Sequence, residues 1–425
     1  MASILLGSIA DDFTGATDLA NNLVRAGMRV VQTVGVPDVA LDESVDAVVV
    51  SLKSRTIAPE AAVRESLEAL NWLKAQQARQ IYFKYCSTFD STDQGNIGPV
   101  TDALMDALDC DFTIAAPAFP DAARTVFQGH LFVGEALLNE SGMQDHPLTP
   151  MHDPNLVRVL QRQTRQAVGL VSYRDVNDSA QAIQSRFAQL RKQGVRIAIA
   201  DVVHNDDLLR LGQACQALPL VTGGSGLALG LPANFGIEPN HQSAQLPLAQ
   251  GLRAVVSGSC SRATQSQVQH FIEQGGQAFA IDPLSVHDDP NVLVAITAQA
   301  VDAAKRGLVL VYSTTTPQQL SDVQQQLGVQ QAGALMEQSL AQVACALVRA
   351  GVGQLIVAGG ETSGAVVQAL QISQLRIGAQ IDAGVPWCFG HAGRPSSAQP
   401  LHISLKSGNF GGVDFFTRAF EVLSA

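Results

Sequence analysis

The sequence has few aromatic and few charged residues, 5% and 15% of the chain respectively. Aliphatic and small residues take their place and raise the hydrophobic share to 46%, which excludes an intrinsically disordered chain. The 425 residues exceed the usual size of one hydrophobic core, so we predict two domains. Abundant small residues favour helices packed closely on parallel sheets.

Clusters of basic residues are missing too. The 27 Lys and Arg residues face 38 Asp and Glu residues, which gives a net charge of −11. This balance makes nucleic acid and anionic membranes poor partners. No apolar run is long enough to span a bilayer, and the first ten residues carry no basic segment, so we expect a soluble cytoplasmic protein. The sequence is compatible with a homo-oligomer.

Several metal and nucleotide motifs are absent. The six cysteines form no C-x-x-C pair and the nine histidines form no zinc pattern, so we expect free thiols and assign no metal ligands. The chain lacks the Walker motif G-x-x-x-x-G-K-[ST], and no G-x-G-x-x-G follows the first strand of either half. Any nucleotide must therefore bind by a less common arrangement.

Polar residues stand out at the end of the first predicted strand, 4–10. Asp11, Asp12 and Thr14 come next, before a predicted amphipathic helix. Thr14 could simply cap that helix, with the acids favouring its positive end. Open α/β sheets also bind ligands at the carboxyl ends of their strands, so Asp11 and Asp12 are predicted to project where a polar small molecule or a metal could dock. We take both as candidate catalytic residues, of which one could hold Mg²⁺ or the substrate while the other accepts a proton. The sequence does not decide which of the two accepts a proton.

Polar and charged groups also follow other predicted strands of the first half. Arg55 follows strand 46–52, Lys84 ends strand 81–84, and Arg124 follows a bend at 117–120. Cations for a carboxylate and acids for hydroxyls suit a polyhydroxylated acid as substrate. The predicted substrate-binding residues are Thr14, Arg55, Lys84, Ser87, Asp90 and Arg124.

The second half places loops of Gly, Ser and Thr after predicted strands. These loops are 257–262, 359–364 and 406–412. Backbone N–H groups in such loops stabilise phosphate oxygens without much positive charge, although ordinary turns have the same composition. We therefore predict a nucleotide site, and a kinase would add Mg²⁺ to shield the phosphates.

The proline-bearing stretch 229–250 lacks clear periodicity, and we predict that it is a linker. It would join a substrate-binding domain, 1–228, to a nucleotide-binding domain, 251–425. Both domains are predicted to be α/β with largely parallel sheets, with a cleft between them where the phosphoryl group is transferred.

Long motifs in both halves resemble the four-carbon acid sugar kinases. They are Asp-Asp-Phe-Thr-Gly-Ala-Thr-Asp at 11–18, Gly-Gly-Glu-Thr-Ser-Gly at 359–364 and Leu-Lys-Ser-Gly-Asn-Phe-Gly at 405–411. Segments 83–92 and 146–151 resemble the 3-oxo-tetronate branch in particular. Threonate and erythronate kinases typically have Lys-x-Asp-Ser-Thr-Leu-Arg-Gly-Asn here, whereas Asp93 and Gln94 precede Gly95 in this chain, so that arginine is absent.

The resemblance implies ATP-dependent phosphorylation of the C4 hydroxyl of a 3-oxo-tetronate. A D-threonate or D-erythronate 4-kinase is the alternative within the family, and a nucleotide-responsive binding protein without turnover is the alternative of another class. By resemblance, the nucleotide contacts are Ser257, Gly258, Ser259, Gly359, Gly360, Glu361, Thr362, Ser363 and Gly408.

Overall fold

The computed structural model describes residues 4–37, 41, 45–89, 92–145, 149–393 and 398–423. The chain divides into two units, Met1–Ala244 and Gln245–Ala425. Two short 3₁₀ turns within the predicted linker, Pro232–Phe235 and Gln242–Ala244, belong to the first unit. In the described ranges, no helix combines the length and apolar character that crossing a bilayer needs.

The first unit alternates strands and helices. Its strands are β1 (Leu6–Ala10), β2 (Val30–Val34), β3 (Ala47–Ser51), β4 (Gln80–Lys84), β5 (Thr113–Ala116), β6 (Arg124–Phe127), β7 (His130–Val133), β8 (Ala136–Leu137), β9 (Ala167–Val171), β10 (Val195–Ala200) and β11 (Leu220–Gly223). Its helices are α1 (Phe13–Arg25), α2 (Pro59–Ala75), α3 (Ile97–Ala107), α4 (Leu156–Gln161), α5 (Tyr173–Asp178), α6 (Ala180–Lys192) and α7 (Asn205–Ala214).

Eight of these strands form a parallel sheet in the order β2-β3-β1-β4-β11-β5-β10-β9. Strand β1 lies inside the sheet and is buried along its whole length, as its continuous apolar sequence predicts. Ala10, its last residue, lies opposite Ser51 of β3 and Lys84 of β4. The loops that follow these three strands therefore meet at one edge of the sheet.

A small antiparallel sheet, β6-β7-β8, lies beside the main one. Asp201 anchors the sheet because its buried carboxylate accepts the backbone N–H groups of Gln128, Gly129 and Tyr173, each at 2.8 Å.

The second unit is also α/β. Its strands are β12 (Leu252–Ser257), β13 (Gln277–Ala280), β14 (Val309–Tyr312), β15 (Val352–Ala358), β16 (Gln374–Asp382), β17 (Val385–Ala392) and β18 (Gln399–Lys406). Its helices are α8 (Arg262–Glu273), α9 (Pro283–Asp288), α10 (Asn291–Ala304), α11 (Pro317–Leu327), α12 (Val329–Arg349), α13 (Gly360–Ala369) and α14 (Phe415–Val422).

These strands follow the order β13-β14-β12-β15-β18-β17-β16. The first five are parallel, whereas β17 runs antiparallel to both of its neighbours. The buried Trp387 packs with Phe415 and Phe420 under the sheet, and its indole N–H donates to the Ala419 carbonyl at 2.8 Å. The predicted α/β class with largely parallel sheets is confirmed.

Candidate functional site

A compact ion cluster follows strand β1. The guanidinium of Arg55 donates to both carboxylate oxygens of Asp11, from Nε at 2.9 Å and from Nη2 at 2.8 Å. The same Nη2 lies 2.6 Å from Asp12 Oδ1. Fixed bidentate geometry of this kind gives an arginine–carboxylate pair both strength and orientation. The structure thus brings together two predicted catalytic acids and one predicted cation.

Backbone hydrogen bonds hold the loops that carry these groups. The Asp11 N–H donates to the Lys84 carbonyl at 3.0 Å, and the Ser54 and Arg55 N–H groups donate to the Asp11 carbonyl. Three neighbouring strand ends are thereby tied to one residue. The charged side chains consequently leave the sheet in a fixed arrangement.

Asn96 positions the Arg55 loop from outside the ion cluster. Its buried amide donates to the carbonyls of Ser54, Arg55 and Ile57 at 2.8, 3.2 and 2.9 Å. Asn96 was not among the predicted site residues, and a single Asn beside a glycine offers no signal for such a role. Its importance follows only from the tertiary contacts.

Asp12 also caps helix α1. Its Oδ1 accepts the Gly15 N–H at 3.2 Å and its Oδ2 accepts the Thr14 hydroxyl at 3.0 Å, so the cap comes from Asp12 rather than from Thr14. Burial acts to raise the pKa of Asp12, but the charges of Arg55 and Lys84 outweigh it and lower that pKa below its usual value. The Asp12 side chain is 26% exposed, against 7% for Asp11.

Two cations flank these acids. Lys84 is buried, and its ammonium group has no hydrogen-bond partner among the described residues. A Cβ built on Gly15 would lie only 2.7 Å from Lys84 Nζ, which places that atom at the start of α1. Within the same described part of the chain, the buried Nε of Arg124 lacks an acceptor. Both cations therefore keep donors for an anionic ligand.

Asp18 lies on the buried side of α1 near both cations. Burial raises the pKa of Asp18 to about 6, whereas the charges of Lys84 and Arg124 and a hydrogen bond from Ser225 act in the opposite direction. Asp18 was not among the predicted site residues. An acid on the buried face of an amphipathic helix was the available signal.

The remaining predicted substrate residues belong to the loop after β4. Ser87 is half-buried there and makes no hydrogen bond with the described residues. Asp90 lies outside the described residues, so its role stays a prediction. The two segments that resemble the 3-oxo-tetronate branch approach one cavity of about 770 Å³, which is lined by Thr92, Asp93, Met151 and His152; residues 146–148 again lie outside the described ranges.

The glycine loops of the second unit also meet at one sheet edge. Ser257 lies opposite Tyr312 and Ala358, and Ala358 lies opposite Lys406, so four parallel strands end side by side. Helices α8 and α13 begin at this edge with Arg262 and Gly360. Their free N–H groups and positive dipole ends suit an anion such as phosphate.

Close packing explains the glycines in these loops. A Cβ on Gly258 would lie 2.2 Å from Thr362 Oγ1, and one on Gly408 would lie 2.4 Å from Ser259 Oγ. Gly359 has a φ of +125°, which disfavours any other residue, and its N–H donates to the Lys406 carbonyl at 2.8 Å. The predicted nucleotide residues are thus in mutual contact.

Lys406 supports this edge from below, a role the sequence analysis did not give it. Its buried ammonium group donates to Thr264 Oγ1 and to the carbonyls of Ser407, Gly408 and Phe410, at 3.0–3.2 Å. Burial lowers the pKa of Lys406 to about 7. A lysine at the end of an apolar strand was the signal in the sequence.

No group of three or more His, Cys, Asp or Glu side chains that could hold a metal ion occurs in the described ranges. Magnesium binds to proteins through one or two carboxylates together with substrate phosphates and water.

Comparisons with known proteins agree with this arrangement. Residues 6–231 match the family model of a sugar-binding N-terminal domain, and residues 254–416 match that of a nucleotide-binding C-terminal domain. A Cupriavidus necator protein named 3-oxo-tetronate kinase is 57% identical, over 99% of this chain and 97% of that protein. A Pseudomonas fluorescens protein of the same name is 55% identical with the same coverage.

A solved structure extends the similarity to the fold. The crystal structure of a Haemophilus influenzae protein superimposes with a TM-score of 0.81 and 44% sequence identity, over 98% of this chain and 100% of that chain. Because the alignment covers 98% of this chain, it spans both the acid cluster and the glycine loops. The chain belongs to the four-carbon acid sugar kinase family, whose sugar-binding and nucleotide-binding domains together account for almost its whole length.

Proposed function

We propose that this chain transfers the γ-phosphoryl group of ATP to the C4 hydroxyl of a 3-oxo-tetronate and forms 3-oxo-tetronate 4-phosphate. The observation that carries the proposal is a buried cation, Lys84, beside the ionised and partly exposed Asp12. A hydroxy acid needs both groups, one for its carboxylate and one for its reacting hydroxyl. The relatives named 3-oxo-tetronate kinase supply the identity of the acid.

The two acids take different roles in this proposal. Asp12 Oδ2 accepts a hydrogen bond only from the Thr14 hydroxyl among the described residues, so it keeps capacity for the C4 hydroxyl of the substrate. Asp12 would accept that proton as the hydroxyl oxygen attacks the γ-phosphorus. Both carboxylate oxygens of Asp11 accept hydrogen bonds from Arg55, so Asp11 acts as a positioning residue. Lys84 and Arg124 would bind the substrate carboxylate.

The loops at 257–259 and 359–363, together with Gly408, would hold the phosphates of ATP on backbone N–H groups. Mg²⁺ would accompany the triphosphate, and Glu361, in the first turn of α13, is an acidic side chain within the 359–363 loop. The metal supplies charge neutralisation of the phosphates when it is bound. The chain itself supplies the backbone donors and the glycine conformations described above.

An ADP-release assay with ATP and Mg²⁺ tests the proposal on a panel of 3-oxo-tetronates, D-threonate, L-threonate and D-erythronate. Turnover confined to the 3-oxo acids supports it. Turnover only on threonate or erythronate would support a kinase activity but would show that the substrate is a different acid. ADP binding without turnover on any acid would instead favour the nucleotide-responsive binding protein.

The role of Asp12 is tested by Asp12→Asn, because asparagine preserves the helix cap but not the carboxylate. We expect kcat to fall about 10²-fold or more with ADP affinity unchanged. Asp282→Asn is the matched control, since Asp282 caps helix α9 and accepts the Ser285 N–H at 3.0 Å. A normal rate in Asp12→Asn would remove Asp12 from the mechanism.

We also propose that the enzyme works in the cytoplasm, where its six cysteines, all free thiols in the structure, stay reduced. Homo-oligomerisation remains a prediction, and light scattering on the purified chain tests it.

A further inference from the structure

The ammonium group of Lys406 lies among four oxygens at the end of strand β18. Thr264 Oγ1 and the carbonyls of Ser407, Gly408 and Phe410 are 3.0–3.2 Å from Lys406 Nζ. We call these four oxygens the four-oxygen cage. A lysine ammonium has three N–H donors and no acceptor, so four oxygen neighbours use all of its donors. Lys406 therefore acts on the loop and keeps no donor for a bound phosphate.

Helix α8 holds the same loop through its own side chains. The hydroxyls of Ser261 and Thr264 donate to the Gly408 carbonyl at 2.6 and 2.8 Å. The Gln267 amide donates to the carbonyls of residues 410–412 at 2.9–3.0 Å. The loop carbonyls therefore point toward α8 and Lys406.

The N–H groups of this loop consequently point the other way. A planar trans peptide directs its C=O and the following N–H to opposite sides. Because the four-oxygen cage fixes the Ser407 and Gly408 carbonyls, it also directs the N–H groups of Gly408 and Asn409 away from Lys406. Within the described part of the chain these two N–H groups make no hydrogen bond. Successive free N–H groups of this kind bind anions.

The four-oxygen cage also has the chemistry of a site for a monovalent cation. Backbone carbonyls replace the hydration shell of K⁺ in selective channels, and the ammonium of lysine is a compact point charge of the same sign. No carboxylate pairs with Lys406 among the described residues. Its positive charge is thus left to the loop carbonyls and to an anion bound above them.

From this geometry we propose that Lys406 is a positioning residue of the nucleotide site and that its ammonium group serves as a built-in monovalent cation. It holds the Gly408 and Asn409 N–H groups toward the phosphates, and the loop needs no bound K⁺ or NH₄⁺. The inference rests on the proposed use of ATP and adds to it the element that keeps one phosphate loop in its binding conformation.

Calorimetric titration with Mg-ADP in choline chloride, KCl and NH₄Cl of equal ionic strength tests the proposal. The titrations are run at pH 6, because burial lowers the pKa of Lys406 to about 7 and the group must carry its proton. For the wild type we expect the Kd to differ by less than about twofold among the three salts. Choline is too large for the four-oxygen cage and provides the cation-free reference.

Lys406→Ala removes the ammonium together with its stem, which leaves space for a small cation. We expect its Kd for Mg-ADP to rise about tenfold or more in choline chloride, and KCl or NH₄Cl to restore at least about threefold of that loss. Rescue by a cation is a response that a merely structural role of Lys406 would not give.

Two further variants complete the test. Lys406→Met keeps the bulk of the buried stem and leaves no space for an ion, so it should bind Mg-ADP weakly in all three salts. It also measures the loss of the charge if Lys406→Ala does not fold. Lys305→Ala is the matched control, because Lys305 is the other lysine of the second unit, is exposed and pairs only with Asp302 among the described residues. It should match the wild type in every salt.

A wild-type affinity for Mg-ADP that improves more than about twofold in KCl would overturn the proposal, because the loop would then use an external cation. Wild-type affinity in Lys406→Met would remove Lys406 from the nucleotide site. A loss in folded Lys406→Ala that no salt restores would assign Lys406 a packing role and contradict the proposal as well. A wild-type chain that binds Mg-ADP but releases no ADP with any acid would refute the proposed function instead.

Discussion

Arg55 binds Asp11 through two parallel hydrogen bonds, Nε to Oδ2 at 2.9 Å and Nη2 to Oδ1 at 2.8 Å. Arg29 binds Asp46 with nearly the same geometry, at 3.0 and 2.8 Å. The two pairs differ in burial, because the Arg55 side chain is 23% exposed and that of Arg29 is 50% exposed. The exposed Arg29–Asp46 pair therefore serves as an internal control for the effect of disturbing the Arg55–Asp11 pair on stability and activity.

Arg55→Lys should therefore be far more damaging than Arg29→Lys. Lysine cannot donate two parallel hydrogen bonds, so Asp11 and Asp12 lose their fixed orientation. We expect kcat to fall about 100-fold and the free energy of unfolding to drop by roughly 2 kcal/mol. Arg29→Lys should cost less than about 1 kcal/mol and leave kcat unchanged. Steady-state kinetics and urea titration measure both, and equal effects of the two variants would contradict the contrast.

Asn96→Asp should loosen the Arg55 loop. Aspartate keeps the size of the side chain but loses the amide that donates to three carbonyls, and it sets a negative charge against those carbonyl oxygens. We expect kcat/KM for the acid to fall at least tenfold, with the Kd of ADP unchanged. Gln163→Glu is a useful comparison, because the amide of Gln163 donates to the Thr92 carbonyl and not to the Arg55 loop in the described residues. A normal kcat/KM in Asn96→Asp would show that the loop keeps its position without this amide.

Asp18→Asn should change how stability depends on pH. Because burial raises the folded-state pKa of Asp18 to about 6, protonated Asp18 favours folding below pH 4, and this contribution is lost as the pH rises through 6. Asparagine does not titrate. The stability of Asp18→Asn relative to wild type should therefore rise by about 2–3 kcal/mol between pH 4 and pH 7. Urea titrations across this range measure the difference, and a flat difference would show that Asp18 titrates normally.

Gly258→Ala should weaken nucleotide binding. Its new methyl group would overlap Thr362 Oγ1, so one of the two phosphate loops has to move. We expect the Kd of Mg-ADP to rise about tenfold or more. Gly307→Ala is the control, because Gly307 is exposed and a Cβ there meets nothing within 4 Å. If both variants bind ADP as the wild type does, the Gly258 loop is not part of the nucleotide site.

Continuous apolar runs predicted most of the parallel strands of both units, because a strand buried on both faces needs such a run. The antiparallel strands β16 and β17 were not predicted. Gly378, Pro386 and Gly390 interrupt them, and these residue types usually mark turns. Close packing explains two of them, since a Cβ on Gly378 would overlap Leu246 and one on Gly390 would approach the Gln374 carbonyl.

The structure brings predicted site residues together where polar residues directly follow buried strands. Asp11, Arg55 and Lys84 are adjacent in space because the register of β1, β3 and β4 aligns their ends. Asn96 acts through contacts with a loop distant in sequence, so local composition could not single it out. For Lys406 the signal was its place at the end of an apolar strand, but its contact with Thr264 appears only in the structure. Asp18 lies inside helix α1, and its place on the buried face was a signal that the site prediction did not use.

Because Asp12 both caps helix α1 and lies at the candidate substrate site, the first turn of that helix can report on ligand occupancy. The Gly15 amide donates to Asp12 Oδ1, the same atom that receives Arg55 Nη2. A substrate hydroxyl that draws the carboxylate away would leave the Gly15 amide without its acceptor. Hydrogen–deuterium exchange at Gly15 would then accelerate on binding even though the rest of α1 becomes more protected, which gives a signal of the loaded enzyme that needs no attached probe.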